Sequence, residues 1–184
     1  MYIVERYTAS MNMGEYIEGY IDVETFLGNC KRCKNFGKIW SCPPYDFDVM
    51  EYWKKFSRID FVASKIIFDE KYGNQEFSEE EIDEILKKSL FTEKQNLTDE
   101  LLEREKEIEG SVSLCAGSCS ICGEVCPRAI GGICLYPEKM RYSIESLGGN
   151  VGLTISKLMG LELEWMEENK LPRYFILVSG ILIP

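Results

Sequence analysis

The pattern of apolar and polar positions predicts several elements in the first part of the chain. Residues 1–8, MYIVERYT, alternate loosely between apolar and polar side chains, which predicts a strand. Residues 13–30 hold a short helix or lead into the first cysteines. In residues 45–59 the large apolar side chains recur at helical spacing, which predicts an amphipathic helix. Residues 60–69 are rich in β-branched and aromatic side chains and predict a second strand.

The middle of the chain, residues 78–110, is acidic and is predicted to be helical. Ser78 and Glu81 stand at the spacing of a capping box, and an apolar helical face follows them. A second helical stretch ends at Gly110, because glycine readily adopts the conformation that closes a helix. We interpret this acidic segment as a solvated helical face, with a surface for a basic partner as the alternative.

The remaining pattern predicts two more helices and three strands. Residues 111–115 predict a short strand that runs into a cluster of cysteines. Residues 137–149 begin with proline and end with glycines, which predicts a helix, and residues 151–160 predict another. Residues 161–183 predict two strands around a turn.

The interleaved strands and helices predict an α+β fold, or an α/β sandwich, with a central sheet and flanking helices. A length of 184 residues is typical of one compact domain, residues 1–184. The cysteines lie in two segments, the first cysteine loop, residues 30–44, and the second cysteine loop, residues 115–137. We predict that both loops bind metal.

The charge of the chain limits its partners. Its formal net charge is −10, whereas proteins that bind duplex nucleic acid or anionic membranes present basic surfaces, so neither partner is predicted. The N-terminus has neither the basic start nor the apolar core of a signal peptide, and no apolar run approaches the roughly 20 residues of a membrane span. We therefore predict a cytoplasmic protein of undetermined oligomeric state.

The sequence has no histidine. This excludes a nucleophile activated by histidine, zinc sites of mixed cysteine and histidine, and histidine-ligated haem. Cysteine and carboxylate side chains remain as ligands for a metal.

The cysteine spacing indicates an iron–sulfur site. The first loop has the pattern C-x2-C-x8-C-P, and CSICGEVCP in the second loop overlaps the end of a bacterial ferredoxin run. Short spacings let a loop wrap around a cluster and direct backbone N–H groups at the sulfur atoms. The eight cysteines are Cys30, Cys33, Cys42, Cys115, Cys119, Cys122, Cys126 and Cys134.

Three other uses of the cysteines fit less well. Disulfides are not expected in a reducing cytoplasm. Zinc held by four thiolates stays an alternative, although the x3 spacings and the isolated Cys42 depart from paired zinc knuckles. The spacing from Cys115 to Cys122 also matches radical S-adenosylmethionine enzymes, but too few residues follow Cys122 for their partial βα barrel.

The chain resembles a family of predicted metal-binding proteins, domain of unknown function 2284, found largely in anaerobic bacteria and archaea. The resemblance rests on CKRCKNFGKIWSCPP, on the C-x2-C-x3-C-P run and on CLYPEKMRYSIESLGGNV. It implies metal binding and no particular reaction. The cysteines of the family fall on Cys30, Cys33, Cys42, Cys119, Cys122, Cys126 and Cys134. Its other motif positions fall on Trp40, Pro43, Pro44, Pro137, Arg141, Ser143, Glu145 and Gly148.

We therefore predict an iron–sulfur protein with two [4Fe–4S] clusters that passes electrons to a redox partner or within a redox complex. The simplest partition gives one cluster Cys115, Cys119, Cys122 and Cys126, and gives the other Cys30, Cys33, Cys42 and Cys134. By the logic of two-cluster ferredoxins, Cys126 and Cys134 could exchange places. If one cluster is bound, Cys115 is the expected spare thiol.

Two further functions stay open. One is an adaptor stabilised by zinc, and the other is an enzyme or metallochaperone with an open cluster iron. Acid–base candidates for that enzyme are Glu124, Glu138 and Glu145. Aromatic residues that either shield a cluster or pack in the core are Phe36, Trp40, Tyr45 and Tyr136. Basic residues that either offset thiolate charge or are ordinary loop residues are Lys31, Arg32, Lys34, Lys38, Arg128, Lys139 and Arg141.

Overall fold

Four strands form one antiparallel sheet in the computed structural model, which describes residues 1–72, 75–123 and 125–184. The strand order is β1-β2-β4-β3, so the fold class is α+β, as predicted. The strands are β1 (Tyr2–Asn12), β2 (Arg58–Phe68), β3 (Val112–Leu114) and β4 (Tyr174–Ile183). The α-helices are α1 (Met13–Tyr20), α2 (Val23–Lys31), α3 (Val49–Trp53), α4 (Glu79–Leu86), α5 (Thr92–Glu107) and α6 (Val151–Met159).

Strand β2 lies between β1 and β4, and its residues are largely buried on both faces of the sheet. Successive side chains of a strand point to opposite faces. Ile59 and Phe61 pack with the apolar side chains of α1, α3 and α6 on one face. Val62 and Ile66 pack with α5 on the other face. The central sheet with flanking helices is therefore confirmed.

The acidic segment is helical, as predicted, and only part of its surface is solvated. Ser78 and Glu81 form the capping box at the start of α4, and a π-helical turn, Lys87–Phe91, joins α4 to α5. Leu97 and Leu101 of α5 are buried against the sheet. Among the described residues, no helix is both long and apolar enough to cross a membrane.

The prediction of a helix over residues 137–149 is wrong. This segment contains turns and one short 3-10 helix, Glu145–Leu147. Its backbone pairs instead with the second cysteine loop, because Cys115 N donates to Tyr142 O at 2.8 Å and Cys115 forms a parallel bridge with Ser143. A helix would engage these backbone groups internally.

Two other predicted elements are shorter than expected. The helix predicted over residues 45–59 covers Val49–Trp53, because Asp48 caps its start and the chain soon turns into β2. The first of the two strands predicted within residues 161–183 is absent from the described residues, where one bridge joins Glu167 to Lys170. Strand β4 pairs with β2 along nearly its whole length and with β3 only at Gly180–Leu182, and the segment before β4 forms turns in place of a further strand.

Candidate metal centre

Arg128 joins the two cysteine loops. Its guanidinium group lies over the ring of Trp40, 4.9 Å from the ring centre. The same group donates hydrogen bonds to three backbone carbonyl oxygens of the first loop, those of Ile39 (3.0 Å), Cys42 (2.5 Å) and Pro44 (2.6 Å). Because the planar guanidinium group carries several donors in a fixed geometry, one side chain of the second loop holds the end of the first loop in place.

Three more hydrogen bonds cross between the loops. The N–H of Cys119 donates to the hydroxyl group of Ser41 at 2.9 Å. The others run from Trp40 Nε1 to Gly132 O (3.2 Å) and from Asn35 Nδ2 to Ser118 Oγ (3.3 Å). The fold thus brings together two cysteine groups that are far apart in the sequence.

Four thiols of the second loop line one cavity of about 210 Å³, the four-thiol cavity. They belong to Cys119, Cys122, Cys126 and Cys134. After Cys126 the chain forms a short 3-10 helix, Pro127–Ile130, and Gly131 ends it with a φ of 76°. This left-handed conformation suits glycine, and the reversal returns the chain so that Cys134 faces the same cavity.

The thiols of this cavity lie close enough to influence one another. Burial raises the pKa of Cys119, a backbone N–H from Ile121 lowers it, and the charges of Cys122 and Cys134 raise it. Burial and the charges of Cys126 and Cys134 likewise raise the pKa of Cys122. A bound cation would favour the thiolate forms of Cys119 and Cys122, and its binding would release their protons.

Cys30, Cys33 and Cys42, the three-thiol set, belong to the end of α2 and the loop that follows it, and Cys30 and Cys33 both act on the pKa of Cys42. Cys30 lies in the last turn of α2, and Cys33 N donates to its carbonyl oxygen at 2.9 Å. Burial raises the pKa of Cys42 to about 11, and the charges of Cys33 and Cys30 contribute to the rise. The N–H of Asn35 lies 3.5 Å from Cys33 Sγ and donates to it.

Cys115 has different surroundings from the other thiols. Its side chain is buried, at 5% exposure, and it lies outside the wall of the four-thiol cavity. Its single S–H donor is shared between the carbonyl oxygens of Gly117 and Arg141, which lie 2.8 Å and 3.0 Å from Sγ. Burial raises the pKa of Cys115, so these surroundings stabilise the neutral thiol.

The positions of the cysteine side chains bear on the kind of metal group that they could bind. Within residues 1–72, 75–123 and 125–184, no group of three or more His, Cys, Asp or Glu side chains is placed to hold one metal ion. Four cysteines are among the residues that line the cavity, and sulfur donors with N–H partners suit a soft, sulfur-ligated group.

A family model for predicted metal-binding proteins, domain of unknown function 2284, matches residues 20–183. The chain belongs to this family. The resemblance read from the cysteine motifs is confirmed, and the chain is a predicted metal-binding protein whose metal the family description leaves unspecified. No curated protein and no solved structure matches the chain.

The three acidic residues considered for an enzyme fall in different surroundings in this member of the family. Glu138 is exposed, and Glu124 lies outside the described residues. The Oε2 atom of Glu145 is buried and has no hydrogen-bond partner among the described residues, while the Ser143 side chain donates to the carboxyl group. Burial raises the pKa of Glu145, and its charge contributes to the raised pKa of Cys30.

Helix α5 contributes two residues near the site that sequence reasoning missed. Lys94 Nζ donates to Ser118 O at 2.5 Å, and its charge lowers the pKa of both Cys115 and Cys119. Glu105 accepts hydrogen bonds from Arg141 at 2.6 and 2.9 Å, so Arg141 pairs with a carboxylate and not with a thiolate. Both residues share the helical face of the buried leucines of α5, and this periodicity is the signal that could have identified them.

The aromatic candidates divide between the cavity and the core. Trp40 and Tyr136 line the four-thiol cavity. Tyr45 stacks on Phe47, with ring centres 4.9 Å apart, and donates to Ser41 O at 2.8 Å, so its role is packing. Phe36 is half-buried in the first loop.

Proposed function

We propose that this protein binds two [4Fe–4S] clusters and passes electrons to a redox partner or within a redox complex. The observation that carries the proposal is the four-thiol cavity, in which Cys119, Cys122, Cys126 and Cys134 face one space of about 210 Å³. Iron–sulfur clusters take cysteine thiolates as ligands and supply one-electron transfer.

The cavity that the four thiols share with Trp40 and Tyr136 is larger than a single metal ion needs. A zinc ion held by four thiolates lies about 2.3 Å from each sulfur and leaves no space between them. One water molecule occupies about 30 Å³ in the liquid, so the cavity has room for a group of several atoms. The backbone N–H groups that donate to Cys119 and Cys33 add the second-shell bonds that tune cluster potentials.

The three-thiol set supports a second cluster beside the first. Cys42 of this set and Cys126 of the cavity lie close to Arg128, whose guanidinium group joins the loops. We assign Cys30, Cys33 and Cys42 to the second cluster. The hydrogen bonds of Cys115 support its exclusion from both clusters, and Cys134 then serves the cavity in place of Cys115.

The surface around the cavity fits a protein partner. Large apolar side chains of the second loop are exposed, and such patches rimmed by polar residues are typical of interaction sites. They belong to Val125 (60%), Ile130 (82%), Ile133 (79%) and Leu135 (61%). A redox protein that docks on them would approach the cluster edge. The free thiols and the cluster chemistry suit a reducing compartment, which we take to be the cytoplasm.

The test is the metal content of protein purified without oxygen, with its absorption spectrum. We expect about eight irons and eight sulfides per chain, with a broad brown absorption that dithionite bleaches. About one or two zinc ions in a colourless protein would overturn the proposal and favour an adaptor. About four irons would reduce the proposal to one cluster.

A further inference from the structure

The distribution of charge along the chain distinguishes the first cysteine loop from the rest of the protein. Residues 26–45 carry four basic side chains and no acidic one, whereas the whole chain has 31 acidic and 21 basic residues. The four are Lys31, Arg32, Lys34 and Lys38, and all are exposed. Residues 125–137 of the second loop add Arg128 and no acidic side chain, although Glu124 and Glu138 border them. A protein of net charge −10 therefore presents a locally positive surface at its cysteine loops.

The described residues leave these loop cations without carboxylate partners. Within residues 1–72, 75–123 and 125–184, none of the four forms an ion pair. By contrast, Lys54, Lys88 and Lys106 each pair with a nearby glutamate. Complementary charges across an interface steer the encounter of two proteins and select the partner. The positive charge of the loop is therefore suited to the carboxylates of another molecule.

Lys38 lies beside the four-thiol cavity on an ordered backbone. Its N–H donates to Asn35 O at 3.0 Å, and Gly37 N donates to Pro43 O at 2.8 Å. Lys38 lines the cavity together with Val125 and Tyr136, and the side chains of all three are exposed. A fixed positive charge thus stands directly beside the thiols.

The apolar side chains of the second loop are found around the same cavity. Each of four strongly exposed residues either lines the cavity or is next in the chain to a residue that does, namely Val125, Ile130, Ile133 and Leu135. Trp40 Nε1 donates to Gly132 O at 3.2 Å, which holds this segment against the first loop. An apolar centre with a charged rim is the usual anatomy of a protein interface.

We propose that this surface is the docking face for a redox protein whose own docking surface is acidic. The docking face consists of Lys34, Lys38, Val125, Ile130, Ile133 and Leu135. The redox character of the partner rests on the proposed function, whereas its acidic character rests on the charges of the first loop. A long polyanion such as RNA, or an anionic membrane, would also meet the acidic remainder of the chain and be repelled. A small protein contacts the loops alone.

The first experiment measures binding between the wild-type protein, purified without oxygen, and a flavodoxin of acidic pI as the probe. Calorimetric titration is carried out at about 0.1 M and about 1 M salt, where the Debye length is about 10 Å and about 3 Å. At the lower concentration distant acidic residues are already screened, while the loop lysines still act on a docked partner. We expect binding that weakens about tenfold at the higher concentration. A cytochrome c of basic pI is the probe of opposite charge.

Two variants separate the charged and apolar parts of the docking face. Lys38→Glu should weaken flavodoxin binding about tenfold at about 0.1 M salt and much less at about 1 M, without weakening the binding of cytochrome c. Ile130→Ser should weaken flavodoxin binding by a similar factor at both salt concentrations, because it removes apolar contact. Lys157→Glu is the matched control, since Lys157 of α6 is exposed and forms no ion pair within the described residues. It should leave flavodoxin binding unchanged.

The outcomes separate this inference from the proposed function. The docking face is wrong if the wild type does not bind flavodoxin, or if Lys38→Glu and Lys157→Glu have equal effects. Single-stranded RNA that binds more tightly than flavodoxin, with the same dependence on Lys38, would overturn the choice of partner. Protein without iron and sulfide would overturn the proposed function, whereas flavodoxin binding by that protein through Lys38 would still support the docking face.

Discussion

The four-thiol cavity and the three-thiol set are assembled in different ways. The cavity draws its thiols from one stretch of 16 residues, Cys119 to Cys134, and depends on the reversal at Gly131. The three-thiol set combines the end of α2 with the loop that follows it, and Arg128 of the other loop holds the end of that loop. The comparison teaches that a local motif can form one site, whereas the neighbouring site depends on the tertiary structure.

The largest expected effect comes from removing one thiol of either group. Cys122→Ser should abolish the cluster in the four-thiol cavity and leave about four irons at the three-thiol set. Cys30→Ser should abolish the cluster at the three-thiol set and leave about four irons in the four-thiol cavity. Iron and sulfide analysis of both variants, with absorption spectra, checks the two sites separately. Loss of all iron from either variant would show that the two thiol groups form one interdependent site.

Arg128 tests whether the link between the loops stabilises the fold. Arg128→Ala removes three hydrogen bonds to carbonyl oxygens and the contact with Trp40, so we expect the free energy of unfolding to fall by about 2–4 kcal/mol. Arg128→Lys should retain less than half of the stabilisation lost in Arg128→Ala, since an ammonium group cannot reproduce the planar, forked donors of a guanidinium group. Urea unfolding of the metal-free protein measures both.

The control for Arg128 is Lys34→Ala, an exposed basic residue of the first loop, with an expected change of at most about 0.5 kcal/mol. Equal effects of Arg128→Ala and Lys34→Ala would show that the loops are held together by other contacts.

Substitution of Glu105 tests whether its hydrogen bonds with Arg141 and Ser113 stabilise the protein. Burial raises its pKa, but hydrogen bonds from Arg141 and Ser113 outweigh burial and hold the pKa below its ordinary value. The stabilisation is therefore complete above the unfolded-state pKa of about 4.3 and is lost as the pH falls through the folded-state pKa.

We expect Glu105→Gln to lower the free energy of unfolding by about 1–3 kcal/mol at pH 7 and to flatten its dependence on pH in the acidic range. Urea unfolding from pH 7 to pH 3 checks both effects. Glu103→Gln on the same helix is the control, because its ion pair with Lys106 is exposed. A pH profile of Glu105→Gln identical to that of the wild type would contradict this account.

The smallest expected effect concerns Cys115. Cys115→Ala should leave both clusters in place and cost about 1 kcal/mol of stability, because it removes a buried S–H donor that two carbonyl oxygens share. Metal analysis and urea unfolding check the two parts of the prediction. A loss of about four irons would instead support the partition in which Cys115 joins Cys119, Cys122 and Cys126.

The fold class followed from sequence patterns because those patterns are local. The alternation of β1, the apolar run of β2 and the capping box of α4 each lie within a short segment, and the structure confirms all three. The helix prediction over residues 137–149 was wrong because contacts distant in the sequence decide the structure of that segment. Its proline and glycines fit a helix, but the segment pairs with Cys115 across the fold, and tertiary pairing overrides local preference.

The membership of the chain in a metal-binding family also followed from the sequence, since the cysteine spacing is itself the family motif. The grouping of the cysteines in the fold was harder to predict from the sequence. The simplest partition placed Cys115 with Cys119 because they are neighbours in sequence, whereas the structure buries Cys115 and places Cys134 at the cavity.

By itself the sequence determined the α+β class, the two cysteine loops and the restriction of metal ligands to cysteine and carboxylate, because composition and short spacings carry this information. The tertiary structure decided that Arg128 joins the loops, that Glu105 pairs with Arg141 and that Ser41 accepts a hydrogen bond from the N–H of Cys119. These contacts join residues tens of positions apart, and the packing of helices against both faces of the sheet brings them within hydrogen-bond distance.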